Sequence, residues 1–384
     1  MNVTICCKQF GRGGGAERFL LNFVRCLRDA GHGVRVFAAA VDSTVEGVEI
    51  APLPMSWSPG VLRDLAIARA SARLLADADA NVTFSDQRCW GAQVVRVGGG
   101  LHREYLKQQT RSYLAPVGRA AYRIRRTLSL RDRLKLHIDD RLYRHPSLRC
   151  IIANSHMVER EIAGRYPGMA DRIRVVHNGV DTEHFTLSLR DRHRDGVRAE
   201  LGIPENALTG VFVGTGWRRK GLHTFVRALG IASRRGGTVY GIVVGRGSRR
   251  RMLQYAARHG AGQSIRFVGG TDPEPYYGAA DLLVLPSYYD PCANVTLEGL
   301  ACGLPVITAA TNGCHEVLTP GREGYVLDDA SDADGLAGHI EEFRDPARLT
   351  EASKVARALA LEHTLERQYR EIMQALEDVA REGG

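Results

Sequence analysis

The chain has 384 residues, 44% hydrophobic and 25% charged, a globular composition long enough for two domains. No stretch approaches the ~18 to 20 uninterrupted apolar residues of a membrane span, and the start from Met1 to Cys7 lacks the basic region and cleavage site of a secretion signal, so a cytoplasmic protein is expected. The net charge is +9, and the eight cysteines form no Cys-x-x-Cys pair and fall partly in apolar runs, which favours buried free thiols over zinc sites or disulfides.

In chain order, apolar runs alternate with helical patterns, as parallel α/β folds require. The first half offers strands at 3–7, 34–39, 81–84, 93–97 and 150–153, with helices over 17–30, 62–76 and 156–166. After the first strand comes Gly11-Arg12-Gly13-Gly14-Gly15-Ala16-Glu17-Arg18, whose glycines allow close backbone approach to an anion ahead of a helix N-terminus. The same residues satisfy a Gly-x-Gly-x-x-Ala dinucleotide fingerprint, with Asp42 as its ribose ligand, although Lys8, Gln9 and Phe10 loosen the strand-to-glycine junction that it needs. An NAD-dependent oxidoreductase therefore stands as an alternative.

Residues 102–149 hold 13 Lys and Arg against 4 Asp and Glu, so this one segment carries the whole charge excess. Its interleaved apolar and basic residues, such as Arg119, Arg123 and Arg126 beside Val117 and Tyr122, read as basic amphipathic helices. Three readings compete: a solvated face, a nucleic-acid-binding module, and an anionic membrane or acceptor surface. The last is favoured, because the aromatics are few and no nucleic-acid motif accompanies them.

A second cycle follows, with strands at 207–213, 238–244, 264–267, 282–285 and 305–308 and helices over 223–234, 250–259, 276–280, 294–301 and 333–343. The region from His177 to about Gly202 reads as a linker, and 364–381 as a long terminal helix. The expected class is α/β, with two Rossmann-like doubly wound domains at 1–180 and 181–363, and ligands at the carboxyl ends of the strands. Gly214 to Gly221 places Arg218, Arg219 and Lys220 just after a strand, either as a diphosphate site or as a surface basic cluster. Gly245 and Gly270 follow the next two strands, as ligand contacts or as plain turns. Asp290 before Pro291 reads as a helix N-cap with proline at the first helical position, which would leave the amides of Cys292, Ala293 and Asn294 open to phosphate. Glu298, eight positions on, would lie on the same side of that helix. Asp77-x-Asp79 and Asp332-x-Asp334 imitate a metal motif, but fall at a helix end and in a polar loop, so no metal is expected.

The two acids, their apolar continuation through Pro305 and Asn312 to Glu316, and the Gly14-Gly15-x-x-Arg18 and Arg219-Lys220-Gly221 loops resemble the family-4 retaining glycosyltransferases over nearly the whole chain. Within the family they look most like lipopolysaccharide-core glucosyltransferases. The resemblance implies the GT-B fold, two Rossmann-like domains facing a central cleft, with 364–384 crossing back to the first. It implies that Glu298 holds the nucleotide ribose, Asp290 the transferred sugar, Arg219 and Lys220 the diphosphate, and Gly14, Gly15 and Arg18 the donor phosphates and sugar. Gly245 would lie near the donor and Gly270 would meet the nucleobase. His102, after Gly98-Gly99-Gly100, would be a catalytic residue beside Asp290 and Lys220. The family's usual first acid is Glu, and Asp290 is shorter by ~1.5 Å, about one C–C bond. The implied reaction is retaining, metal-independent hexosyl transfer without a cofactor, from a nucleotide sugar, UDP-glucose first, to a lipid-linked or lipopolysaccharide-core saccharide at the inner face of the cell membrane.

Overall fold

The computed structural model describes every residue except 12–14, 56–59, 61, 114 and 384, and only the backbone at 15 and 16. The chain divides into two compact units: 1–107, 115–177 and 366–384 form the first, 108–114 and 178–365 the second.

The first unit runs β1 (Asn2–Cys7), α1 (Gly15–Asp29), β2 (Gly33–Ala38), β3 (Glu49–Pro52), α2 (Arg63–Ala76), β4 (Val82–Ser85), β5 (Val94–Val97), α3 (His102–Arg111), α4 (Pro116–Thr127), α5 (Leu130–Leu142), β6 (Cys150–Ala153), α6 (His156–Arg165) and β7 (Ile173–Val175). Its seven strands are all parallel, in the order β3-β2-β1-β4-β5-β6-β7. Helices cover both faces, so β4, β5 and β6 are buried along their whole length, even where they carry the polar Thr83, Ser85 and Arg96. Edge strands β3 and β7, of four and three residues, are partly exposed. They lie outside the expected strands because they carry neither a continuous apolar run nor a full period of alternation.

The second unit runs α7 (Ser188–Leu201), β8 (Thr209–Val213), α8 (Leu222–Gly236), β9 (Tyr240–Val244), α9 (Arg249–Arg258), β10 (Ile265–Gly269), α10 (Glu274–Ala279), β11 (Leu282–Leu285), α11 (Asn294–Ala301), β12 (Val306–Ala309), β13 (Gly324–Leu327), α12 (Ala333–Glu342) and α13 (Pro346–Glu362). Its six parallel strands are ordered β10-β9-β8-β11-β12-β13, so the order reverses between β8 and β11. α14 (Leu365–Gly383) then packs almost entirely within the first unit, where Tyr369 meets the rings of Phe19 and Phe23.

The expected linker at 177–202 instead carries α7. That helix offers no apolar stripe to read, since only Leu189 and Arg198 of it are buried. Arg198 is 2% exposed, and its guanidinium binds Asp281 Oδ2 at 2.8 Å and the carbonyls of Ala279, Glu205 and Ala207. α13 was hidden for a related reason: its buried face is three alanines at four-residue intervals, Ala352, Ala356 and Ala360, too small to register as a stripe. All eight cysteines are free, seven of them buried. Among the described residues no helix is long and apolar enough to cross a membrane.

Candidate active site

The reversal of strand order between β8 and β11 opens a crevice at their carboxyl ends, where ligands of doubly wound sheets bind. Gly214 leaves β8 at φ 141°, and a Cβ there would collide with Lys220 Cδ at 2.5 Å, so only glycine lets the Lys220 stem lie across the strand end. Gly221, at φ 79°, abuts the Pro286 carbonyl beyond β11 and turns the chain into α8. The loops after β8, β9 and β10 meet here: the Gly245 amide donates to Gly269 at 2.6 Å, the Gly214 amide to Val244 at 2.8 Å, and Gly270 packs on the stem of Arg246. Gly245 thus adjoins the start of the Lys220 loop at Gly214, while Gly270 adjoins the loop after β9.

Arg219 and Lys220 converge on Asp290. Arg219 Nη1 donates to Tyr289 O at 2.6 Å and Asp290 Oδ2 at 3.0 Å, while Lys220 Nζ lies 3.2 Å from the same Oδ2. The Asp290 side chain is 13% exposed and Lys220 is 11% exposed. Burial pushes the Asp290 carboxyl up, but the charges of Lys220 and Arg219 outweigh it and hold the group below the ordinary carboxylate value.

Two expectations about this stretch are corrected. Asp290 is not the N-cap and Pro291 is not the first helical residue: α11 starts at Asn294 with Ala293 as its cap. The backbone of Asp290 is instead bridged to Asn312, accepting from the Gly313 amide at 2.8 Å and donating to Thr311 at 3.0 Å. Nor is the Ala293 amide open, since it donates to the buried Asn312 Oδ1 at 3.1 Å. Asn178 Nδ2 holds the Cys292 carbonyl at 3.1 Å and Asn294 Oδ1 at 2.7 Å. Asp290 therefore stands ahead of the helix and Glu298 inside it. Glu298 accepts a 2.7 Å hydrogen bond from Tyr277, a 1%-exposed residue of α10. Burial, then the charge and hydrogen bond of Glu298, push that phenol well above its ordinary range. Tyr277 and Asn178 were missed as site residues, and Gly214 and Asn312 were read only as parts of their motifs, because each acts through a contact between distant loops that no local spacing encodes.

The remaining candidates lie in the first unit. Gly14 falls outside the described residues, Gly15 opens α1, and Arg18 is exposed in its first turn. His102 is 6% exposed, with Nε2 2.8 Å from Asp132 and its backbone N–H donating to Asp139 at 3.1 Å. Burial lowers its pKa, only partly offset by the Asp132 hydrogen bond, so the imidazole stays neutral and clamps α3 to α5. Asp42, the supposed ribose ligand, accepts from Gln9 at 2.6 Å. Of the Asp-x-Asp pairs, Asp77 is the C-cap of α2, and Asp332 caps α12 by accepting the Gly335 amide at 2.9 Å.

Two family models match the chain: Glycosyltransferase Family 4 over 13–184 and Glycosyl transferases group 1 over 207–345. The chain belongs to the GT-B glycosyltransferases. The transferase is 28% identical over 369 residues to a probable transglycosylase of Burkholderia thailandensis, covering 93% of this chain and 92% of that one. It is 32% identical to a D-inositol 3-phosphate glycosyltransferase of Catenulispora acidiphila, over 56% of this chain and 52% of the relative. Its fold is shared with WaaG, a glycosyltransferase involved in lipopolysaccharide biosynthesis (TM-score 0.75, 20% identity, 97% and 99% of the two chains), and with Anabaena HepE in complex with UDP and glucose (TM-score 0.70, 20% identity, 97% and 99%). Nothing in these similarities supports the oxidoreductase or nucleic-acid alternatives.

Proposed function

We propose that the transferase moves a hexose, with retention of anomeric configuration, from a nucleotide sugar, UDP-glucose first, to a lipid-linked or lipopolysaccharide-core saccharide. The observation that carries the donor reading is Lys220 lying across Gly214 at the sheet's reversal point, with Glu298 held by Tyr277 on the helix that follows β11. Glu298 suits the two hydroxyls of a ribose, and Lys220 suits a diphosphate whose charge grows as it leaves. In the reaction the bond from the anomeric carbon to the phosphate oxygen breaks, a bond to the acceptor oxygen forms on the same face, and the acceptor proton passes to the departing phosphate. The protein positions the partners and stabilises charge, with no metal or cofactor in the scheme.

The acceptor side of the reading rests on α4. Val117, Ile124 and Leu128 are 80%, 63% and 77% exposed and spaced by seven and four residues, which lines them along one face. The helix has no acid and carries Arg119, Arg123, Arg125 and Arg126. An apolar stripe flanked by arginines suits the headgroup region of an anionic membrane, so we place the enzyme peripherally on the inner face of the cell membrane.

Calorimetry with UDP, UDP-glucose, other UDP- and GDP-sugars and NAD tests the donor reading. UDP and UDP-glucose are expected to bind in the presence of EDTA, with Lys220→Ala lowering kcat at least about a hundredfold. NMR of the first-formed product should show the donor's anomeric configuration. Binding of NAD alone, or activity lost to EDTA and restored by manganese, would overturn the scheme.

A further inference from the structure

Asp290 stands where it competes with the diphosphate assigned above to Lys220. Both hydrogens of Arg219 Nη1 are committed, to Tyr289 O and Asp290 Oδ2, and the Arg219 carbonyl accepts from the Tyr288 amide at 2.8 Å, so this arginine is part of the 288–290 framework. Lys220, whose stem lies across the end of β8, also faces Asp290 Oδ2, at 3.2 Å. The carboxylate has little room to withdraw, because the Asp290 backbone is held on both sides by Thr311 and Gly313. Oδ1 has no partner among the described residues. A phosphate oxygen that reaches Lys220 Nζ therefore arrives beside a negative charge and shares its donor, and the two groups are only 13% and 11% exposed, so water screens the repulsion less than at the surface.

We propose that Asp290 is an internal counter-anion of Lys220 that competes with the nucleoside diphosphate, weakens its retention and so speeds release of the spent nucleotide. The inference rests on the reading of Lys220 as the diphosphate cation. It assigns Asp290 a positioning role through the cation, in addition to any contact of Oδ1 with sugar. Removing the charge leaves Lys220 without its counter-ion and raises its attraction for phosphate, the reverse of what loss of a ligand-binding group does.

The test is UDP titration calorimetry on the full chain, with UDP release followed by stopped flow. Asp290→Asn is expected to tighten UDP about tenfold through slower release. Asp290→Glu, which keeps the charge, should stay near the parent affinity. Asp290→Ser repeats the measurement should the amide variant fold poorly, and mere structural damage would weaken binding, not tighten it. In Lys220→Ala the added Asp290→Asn change should bring no gain, because the competition has lost its object. UDP bound equally or less tightly by both neutral variants, or tightened as much by Asp290→Glu, overturns the inference while a Lys220-dependent parent affinity leaves the donor reading intact. A parent that does not bind UDP overturns both.

Discussion

Single side chains here divide into those that meet ligand and those that hold them in place. Tyr277 is of the second kind, and its 2.7 Å hydrogen bond fixes one oxygen of Glu298. Tyr277→Phe should weaken UDP binding about tenfold, the value of one hydrogen bond to a charged group, with kcat changed far less. Titration calorimetry with initial-rate kinetics checks it. His102 divides the other way. A catalytic His102 predicts that His102→Gln abolishes turnover, whereas the clamp to Asp132 predicts normal UDP affinity and a less stable fold. Its pH signature has a definite sign. The folded pKa lies below the ordinary 6.5, so the neutral form's contribution is complete above 6.5 and is lost as pH falls through the lower folded value. Urea midpoints of the parent should drop over that range, and His102→Gln should flatten this part of the profile.

Among the elements, α4 and α7 are opposites. α4 buries Tyr122 alone and displays its apolar stripe, whereas α7 is anchored by one buried guanidinium. Arg123→Glu with Arg125→Glu should abolish co-sedimentation with vesicles containing anionic lipid and leave UDP affinity unchanged, since each basic residue near such a surface contributes about 1 kcal/mol. Arg126 is best left in place because it pairs with Asp132 at 3.2 Å. Binding that persists, or that ignores lipid charge, would sink the membrane reading. For α7, Asp281→Ala strands Arg198 and its neighbours Arg190 and Arg194 without their shared carboxylate. A loss of about 3 to 5 kcal/mol is expected in chemical denaturation, the usual cost of orphaning a buried charge. The inner strands were legible in the sequence because burial on both faces writes them as largely apolar runs, while the roles proposed for Lys220 and Glu298 came from the resemblance of their motifs to the family. Edge strands β3, β7 and β13, with α7 and α13, were not, since their positions are fixed by partners far along the chain. The Asp290 cap was misread for the same reason: Asn312, 22 positions downstream, decides where α11 begins.

At the scale of the molecule, nearly all of the second unit is one continuous stretch, 178–365, while the first is closed by residues 366–384. The first unit's earliest helix and the chain's last one share a ring cluster, Phe19 with Phe23 at 5.8 Å and Tyr369 within 5.8 Å of both. Tyr369, Ile372, Leu376 and Val379 form the buried stripe of α14, spaced by three and four residues. During synthesis, which proceeds from the N-terminus, the second unit therefore has its whole sequence before the first unit does. The half of the enzyme that is made first is the half that is finished last. Until α14 emerges from the ribosome, Phe19 and Phe23 lack their tyrosine lid, and the nascent chain carries an unsealed apolar seam in addition to the exposed apolar stripe of α4.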